Sequence, residues 1–187
     1  MLPVESINWF FALGTIGMQI VAIALLAAYL LQARHPIFAS VSRQVGEWGM
    51  WAVFVLAIAG TGLTLFYSEI VGYVPCGLCW LVRVFLYPQV ILLGLALWKK
   101  DRSIADYSLA LSIPGALVAL YTHYLQMGGS SIVPCPASGV SDCAKRLVFE
   151  FDYVTMPMMG LTLLGLMIVI MLVVRSRQSV IELPASH

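Results

Sequence analysis

Charge is what this 187-residue sequence has least of. Asp, Glu, Lys and Arg make up 10% of it, against about 25% in ordinary soluble domains. Hydrophobic residues make up 61%, more apolar surface than a soluble fold of this length can bury. The formal net charge is +1, so the chain has no basic field with which to hold nucleic acid. No polar stretch is long enough to form a soluble domain, and no internal repeat is evident. The first apolar run has Glu5 before it and no Lys or Arg, so the basic n-region of a signal peptide is missing. Cysteine is also scarce, with four residues. No Cys-His dipeptide follows the first pair, which excludes c-type haem attachment.

What the chain does have is long apolar runs. Five fall at about residues 8–31, 48–68, 79–98, 104–125 and 157–174, each near the ~20 residues needed to cross a bilayer. The expected fold is an all-α integral membrane protein with a single membrane domain over residues 1–187. Small residues in the first run (Gly14, Thr15, Gly17) and the second (Gly60, Thr61, Gly62, Thr64) read as close helix-packing positions. Arg34, Arg43, Lys99, Lys100, Arg102, Arg175 and Arg177 flank the spans on one side. Only Lys145 and Arg146 fall on the other. The positive-inside rule then places the N-terminus outside and the C-terminus in the cytoplasm. All four cysteines fall on the outer side, where disulfides persist.

The cysteines form two pairs. Cys76 and Cys79, in "PCGLCW", stand at the start of the third span. Cys135 and Cys143 stand in the longest connection, about residues 126–156. Four thiols suit a zinc site, two static disulfides, or redox exchange. Pairs on two different membrane loops do not frame a small zinc domain. A dithiol with two residues between closes a small disulfide ring, and a helix N-terminus favours thiolate, the attacking form. Redox exchange is therefore the favoured reading, with no metal assigned. Pro134 and Pro136 hold Cys135 out of helical structure, within reach of a large partner.

Arg83 lies four residues after Cys79 and shares a helix face with Cys76 and Cys79. A cation there costs energy in the membrane. It reads either as snorkelling to the headgroups or as stabilising a thiolate and an anionic cofactor oxygen. Tyr87 follows one turn later, and Pro88 is expected to kink the helix. His123, near the outer end of the fourth span, reads as a packing residue or as a donor to a quinone carbonyl, with Gln126 a weaker candidate. Met156, Met158 and Met159 read as packing residues rather than copper ligands. Pro157 suits a first helical turn. "KRLVFEFDY" alternates apolar and polar residues and reads as a surface-lying segment or a connector.

From Tyr67 to Leu163 the chain resembles the DsbB family of membrane disulfide-bond-formation proteins, and most of all its short-loop BdbC-type members. The likeness rests on "YSEIVGYVPCGLCW", "CGLCWLVRVFLYP", "YTHYLQ" and "VTMPMMGL". It implies a four-helix transmembrane bundle over about residues 48–175, with the span at 8–31 additional. It also implies reoxidation of a DsbA-like thioredoxin-fold partner with electrons passed to a membrane quinone, ubiquinone or menaquinone, in a bacterial inner membrane. By the same resemblance, disulfides join Cys76 to Cys79 and Cys135 to Cys143, and Cys79 contacts the quinone. Cys76 exchanges with the loop pair, Cys135 takes the mixed disulfide with the partner, and Cys143 resolves it. Arg83, with Tyr87 one turn on and His123 assisting, binds the quinone. Trp80, Leu81 and Val82 depart from the family pattern, which is more polar there. A vitamin K epoxide reductase-like enzyme uses similar parts, but its loop cysteines precede its Cys-x-x-Cys. A scaffold stapled by two disulfides, and a metal carrier, are the other readings.

Overall fold

Five long helices account for most of the chain. In the computed structural model, residues 4–32, 36–101, 103–130 and 143–181 are described, with side chains through Arg177. The helices are α1 (Val4–Leu31), α2 (Pro36–Leu65), α3 (Gly77–Lys99), α4 (Ile104–Gln126) and α5 (Met156–Ile181). All five are long and apolar enough to cross a membrane, so the chain is an all-helical, multi-pass membrane protein. α2 begins well before its apolar run. Pro36 occupies the first helical position, where its missing N–H costs nothing. Large apolar side chains such as Phe10, Ile23, Ile91 and Trp98 point outward, as they do where the surrounding solvent is lipid.

α2, α3, α4 and α5 form a closed ring of neighbours, and α1 lies on the outside against α5 and α2. α5 is the central helix: 67% of its apolar window is buried, against 11% for α1. Its Leu164, Met167 and Met171 meet Val53 and Ala57 of α2 and Leu93 of α3 in the main core.

Close approach of α2 to α5 depends on two glycines. A Cβ at Gly49 would stand 2.7 Å from Val174 Cγ2, and one at Gly60 would run into Leu163. Such small positions replace the hydrophobic effect as the means of helix association in lipid. The same expectation fails for Gly14, Gly17 and Gly62, where an added Cβ meets nothing within 4 Å. In α1 it is Asn8, Ala12, Thr15 and Ala28 that are buried, because they lie on the face turned toward the bundle.

A polar clamp that the sequence pattern did not single out joins α3 to α4. Gln89 is 1% exposed. Its Nε2 donates to Ser112 Oγ at 3.1 Å, and its Oε1 accepts from Ser108 Oγ at 2.8 Å. Pro88, next to it, faces outward, and α3 runs through it as one helix.

The connections are short where they are described. α3 closes on Lys100 in the left-handed conformation (φ 55°), and Asp101 N–H returns to Ala96 O at 2.9 Å. Asp101 Oδ1 then accepts from Ser103 N–H at 2.9 Å and opens α4. α2 ends in one π-helical turn, Phe66–Ile70. Before α5 the chain forms a two-stranded antiparallel hairpin, β1 (Phe149–Glu150) and β2 (Val154–Thr155), with Phe149 opposite Thr155. Its turn residues Phe151 and Asp152 both have positive φ, 52° and 61°. That backbone matches the right-handed twist of paired strands. Within "KRLVFEFDY", Phe149 and Glu150 form β1, and there the alternation is the two-residue period of a strand.

Candidate functional site

The site forms at the end of the bundle where α2 and α4 finish and α3 and α5 begin. Cys76 is the N-cap of α3, with extended backbone (φ −74°, ψ 169°). Its Sγ accepts from Cys79 N–H at 3.4 Å, the place a serine or aspartate oxygen takes in ordinary caps. Two intervening residues suffice for this because the N-cap side chain reaches the third helical N–H. The two sulfurs are 2.9 Å apart and both cysteines are free. The pair is therefore present as a dithiol, the reduced counterpart of the disulfide expected from the resemblance. The hydrogen bond from the Cys79 thiol lowers the Cys76 pKa from its ordinary value near 9 to about 6. Backbone N–H groups of the first turn add to this, and burial opposes it.

Cys143 is disulfide-bonded and only 2% exposed. It shares one buried cluster with Cys76 and Leu125, against which Leu78, Cys79 and Tyr121 pack. The structure thus brings together a free dithiol on α3 and a disulfide-bonded cysteine that follows α4. Cys135 lies outside the described residues, and so does its expected pairing with Cys143.

Arg83 does not snorkel; it is 7% exposed. Its Nη2 donates to the Thr64 carbonyl oxygen on α2 at 3.0 Å, and Trp80 covers its guanidinium, with Cζ 5.0 Å from the ring centroid. The apolar residues after Cys79 therefore have separate places. Trp80 shields the cation and Leu81 faces outward, while Val82 packs on the main core. Tyr87 is drawn to the same residue of α2. The Thr64 hydroxyl donates to Thr61 O, which leaves its oxygen to accept from Tyr87 at 2.9 Å. Thr64 is the residue that organises both, and in sequence it is one of several small polar positions with nothing to distinguish it.

His123 is half-buried at the end of α4, and its Nδ1 lies 2.9 Å from Thr155 Oγ1. Thr155 is fully buried and also accepts from Met158 N–H at 3.4 Å as the cap of α5. Its one proton is then free to go to His123 Nδ1, which leaves the ring proton on Nε2 as an available donor. Gln126 turns elsewhere: its Nε2 donates to Lys145 O at 3.1 Å, two residues past Cys143. Met159 packs with Ala12 and Tyr67 in a second apolar cluster.

The arrangement holds nucleophilic sulfur at a helix N-terminus, a buried cation one turn below it, and a second redox-capable cysteine alongside. Comparison with known proteins points the same way. Residues 46–176 match the family model described as disulfide bond formation protein DsbB. The chain is 34% identical over 141 residues to disulfide bond formation protein C of Bacillus subtilis, covering 74% of this chain and 98% of that one. It is 41% identical over 108 residues to the SPbeta prophage-derived disulfide bond formation protein B of the same organism, covering 58% and 72%. A probable disulfide formation protein of Metapseudomonas resinovorans is 31% identical over 127 residues, covering 66% and 87%. No solved structure matches the chain. A bundle with its cysteines gathered at one end, matched over most of its length by these proteins, belongs to the DsbB family as a BdbC-like member.

Proposed function

We propose that this membrane disulfide-bond-formation protein reoxidises a DsbA-like thioredoxin-fold partner and delivers the electrons to a membrane quinone. The observation that carries the proposal is the shared cluster: the free Cys76–Cys79 dithiol packs against the disulfide-bonded Cys143. A free dithiol in one buried cluster with a disulfide-bonded cysteine supports a thiol–disulfide relay.

The relay runs from partner to loop to α3. The partner's thiolate attacks Cys135, forming a mixed disulfide as Cys143 leaves as thiolate; the partner's second thiolate then attacks the partner's own sulfur in that bond, so the partner leaves oxidised and Cys135 leaves as thiolate. A loop thiolate then attacks Cys76 in the oxidised pair. The Cys76–Cys79 bond breaks and the Cys79 sulfur leaves with the electron pair; the second loop thiolate then attacks the loop sulfur bonded to Cys76, which restores the loop disulfide and frees Cys76. The partner is itself a strong oxidant, near about −120 mV, so the driving force has to come from the final acceptor. A quinone supplies that acceptor, taking two electrons and two protons.

The residues at the site fit such a group. Arg83 gives one Nη2 hydrogen bond to Thr64 and keeps further N–H donors. It is buried and stands one helical turn after Cys79 on α3. His123 offers Nε2–H from the neighbouring helix. A buried cation and a neutral donor are suited to hold two ring oxygens and to favour negative charge on one of them. Thr64 and Tyr87 fix the face of α3 on which this happens.

The test is anaerobic turnover of the purified protein with a reduced DsbA-type oxidase and a short-chain quinone. Partner oxidation is expected to track quinone added, and Arg83→Ala to raise the quinone KM about tenfold or more. Cys79→Ser is expected to abolish quinone reduction while a mixed disulfide with the partner still forms. Partner oxidation at the same rate without quinone would remove the proposal.

A further inference from the structure

The family match starts at residue 46, so α1 lies wholly outside it, yet α1 is bonded to both cysteine-bearing segments. Near its start, Asn8 Oδ1 accepts from Tyr67 OH at 2.8 Å. Tyr67 in turn stacks on Tyr73 (5.9 Å between ring centroids, 13° between planes), and its carbonyl accepts from Tyr73 N–H at 2.9 Å. Tyr73 lies three residues before Cys76. Three turns further along α1, Gln19 Oε1 accepts from Tyr153 OH at 2.9 Å, and Gln19 Nε2 donates to Thr162 Oγ1 at 3.1 Å. Tyr153 belongs to the hairpin that follows Cys143 and leads to Thr155.

Asn8 and Gln19 are eleven residues apart, so they share a helix face about 16 Å apart. Between them on that face, Ala12 is fully buried in one cluster with Tyr67, Val148 and Val154, and the buried Thr15 turns its hydroxyl back to Phe11 O at 2.9 Å. Trp9 meets Phe151, with ring centroids 6.3 Å apart. Phe151 is held in the left-handed region (φ 52°), a conformation rare for a bulky residue unless its surroundings hold it there. A helix needed only to cross the bilayer has no use for two paired amides directed at two loops. Polar side chains in a membrane helix are costly to leave unpaired.

We propose that α1 is a brace that sets the position of the Cys76 segment relative to the Cys143 segment, with Asn8 and Gln19 as its positioning residues. The proposal rests on exchange between the two cysteine pairs. Holding both segments to one rigid helix raises the effective concentration of Cys76 at the loop disulfide.

The experiment uses the full-length protein in lipid nanodiscs with Cys79→Ser. Cys76 then has no partner on its own helix. Its thiolate attacks the disulfide that holds Cys143, one S–S bond breaks as another forms, and a loop thiolate leaves, with no net oxidation. Alkylation, digestion and mass spectrometry measure the cross-loop disulfide. Adding Tyr67→Phe and Tyr153→Phe removes both hydrogen bonds and keeps both rings. The cross-loop yield is expected to fall at least about threefold, with helical content and the alkylation rate of Cys76 unchanged. Tyr153→Phe alone, which deletes one oxygen, should lower the yield less and in the same direction. Asn8→Asp keeps an acceptor for Tyr67 and should keep the yield. An unchanged yield in the double variant overturns the brace. Absence of any cross-loop disulfide in the Cys79→Ser protein itself overturns the exchange reading instead, whatever α1 does.

Discussion

Cys76 does two things with one sulfur: it caps α3 and it is the thiol that ionises first. Both follow from its place before the first helical turn, where N–H groups lack partners and the dipole is positive. The Cys79 thiol supplies the largest share of the effect. Alkylation of Cys76 in the reduced protein should therefore rise with pH around a midpoint near 6. Cys79→Ala should move that midpoint up toward the ordinary value. The sign of the linkage follows. A folded pKa below the unfolded one stabilises the reduced protein above the unfolded value, and this is lost as pH falls through about 6. Denaturation of the reduced protein followed between pH 5 and 9 checks it, with the Cys79→Ala protein as the comparison. The Cys-x-x-Cys spacing and the face shared with Arg83 were readable from the sequence because helical period alone sets them. The partners Thr64 and Thr155 were not. Each lies on a different element from the residue it holds, Thr64 on α2 and Thr155 in β2, and a lone threonine has no distinguishing local pattern.

At the scale of elements, small residues have meaning only once a neighbour is known. Gly60 and Gly14 look alike in sequence, each beside another small residue in an apolar run. Gly60 sits against Leu163, and Gly14 faces open space. Gly60→Ala is expected to destabilise the bundle by about 1–3 kcal/mol, the usual cost of overpacking. Gly14→Ala should stay within about 0.5 kcal/mol. Thermal unfolding in a mild detergent separates the two. Equal shifts would mean that α2 does not pack on α5 as described. The hairpin Phe149–Thr155 makes the same point. Its alternation was visible and read as a surface-lying segment or a connector; the strand pair became apparent only when Phe149 was found opposite Thr155.

Across the whole molecule, most of the basic residues lie at the end opposite the cysteines. Arg43, Lys99, Lys100, Arg175 and Arg177 flank the end away from the cysteines. There Arg175 pairs with Asp106 at 3.0 Å, both exposed, and Arg177 donates to Ala39 O at 3.0 Å. On the positive-inside rule the cysteine end is proposed to lie outside the cytoplasm, where disulfides persist. In intact cells, an impermeant maleimide should label a cysteine placed at Ser130 and spare one placed at Lys100, in a background lacking the native cysteines. The reverse pattern would invert the topology and sink the proposed direction of electron flow. The role of α1 belongs to this scale too, since Asn8 and Gln19 acquire partners only when three separate segments converge on one face.

The sequence by itself determined the class of molecule, a multi-pass helical membrane protein of the DsbB family. Apolar runs of membrane length, basic residues biased to one side and a Cys-x-x-Cys with Arg83 one turn on are local patterns, and local spacing suffices to read them. Tertiary structure decided which of these meet. It placed Cys143 against Cys76 and turned Arg83 inward to Thr64 under Trp80. It gave His123 to Thr155, moved Gln126 to the loop, and tied α1 to both cysteine segments. Contacts between helices distant in sequence depend on how side chains of particular size and polarity fit across a gap. No periodicity along a single chain encodes that fit.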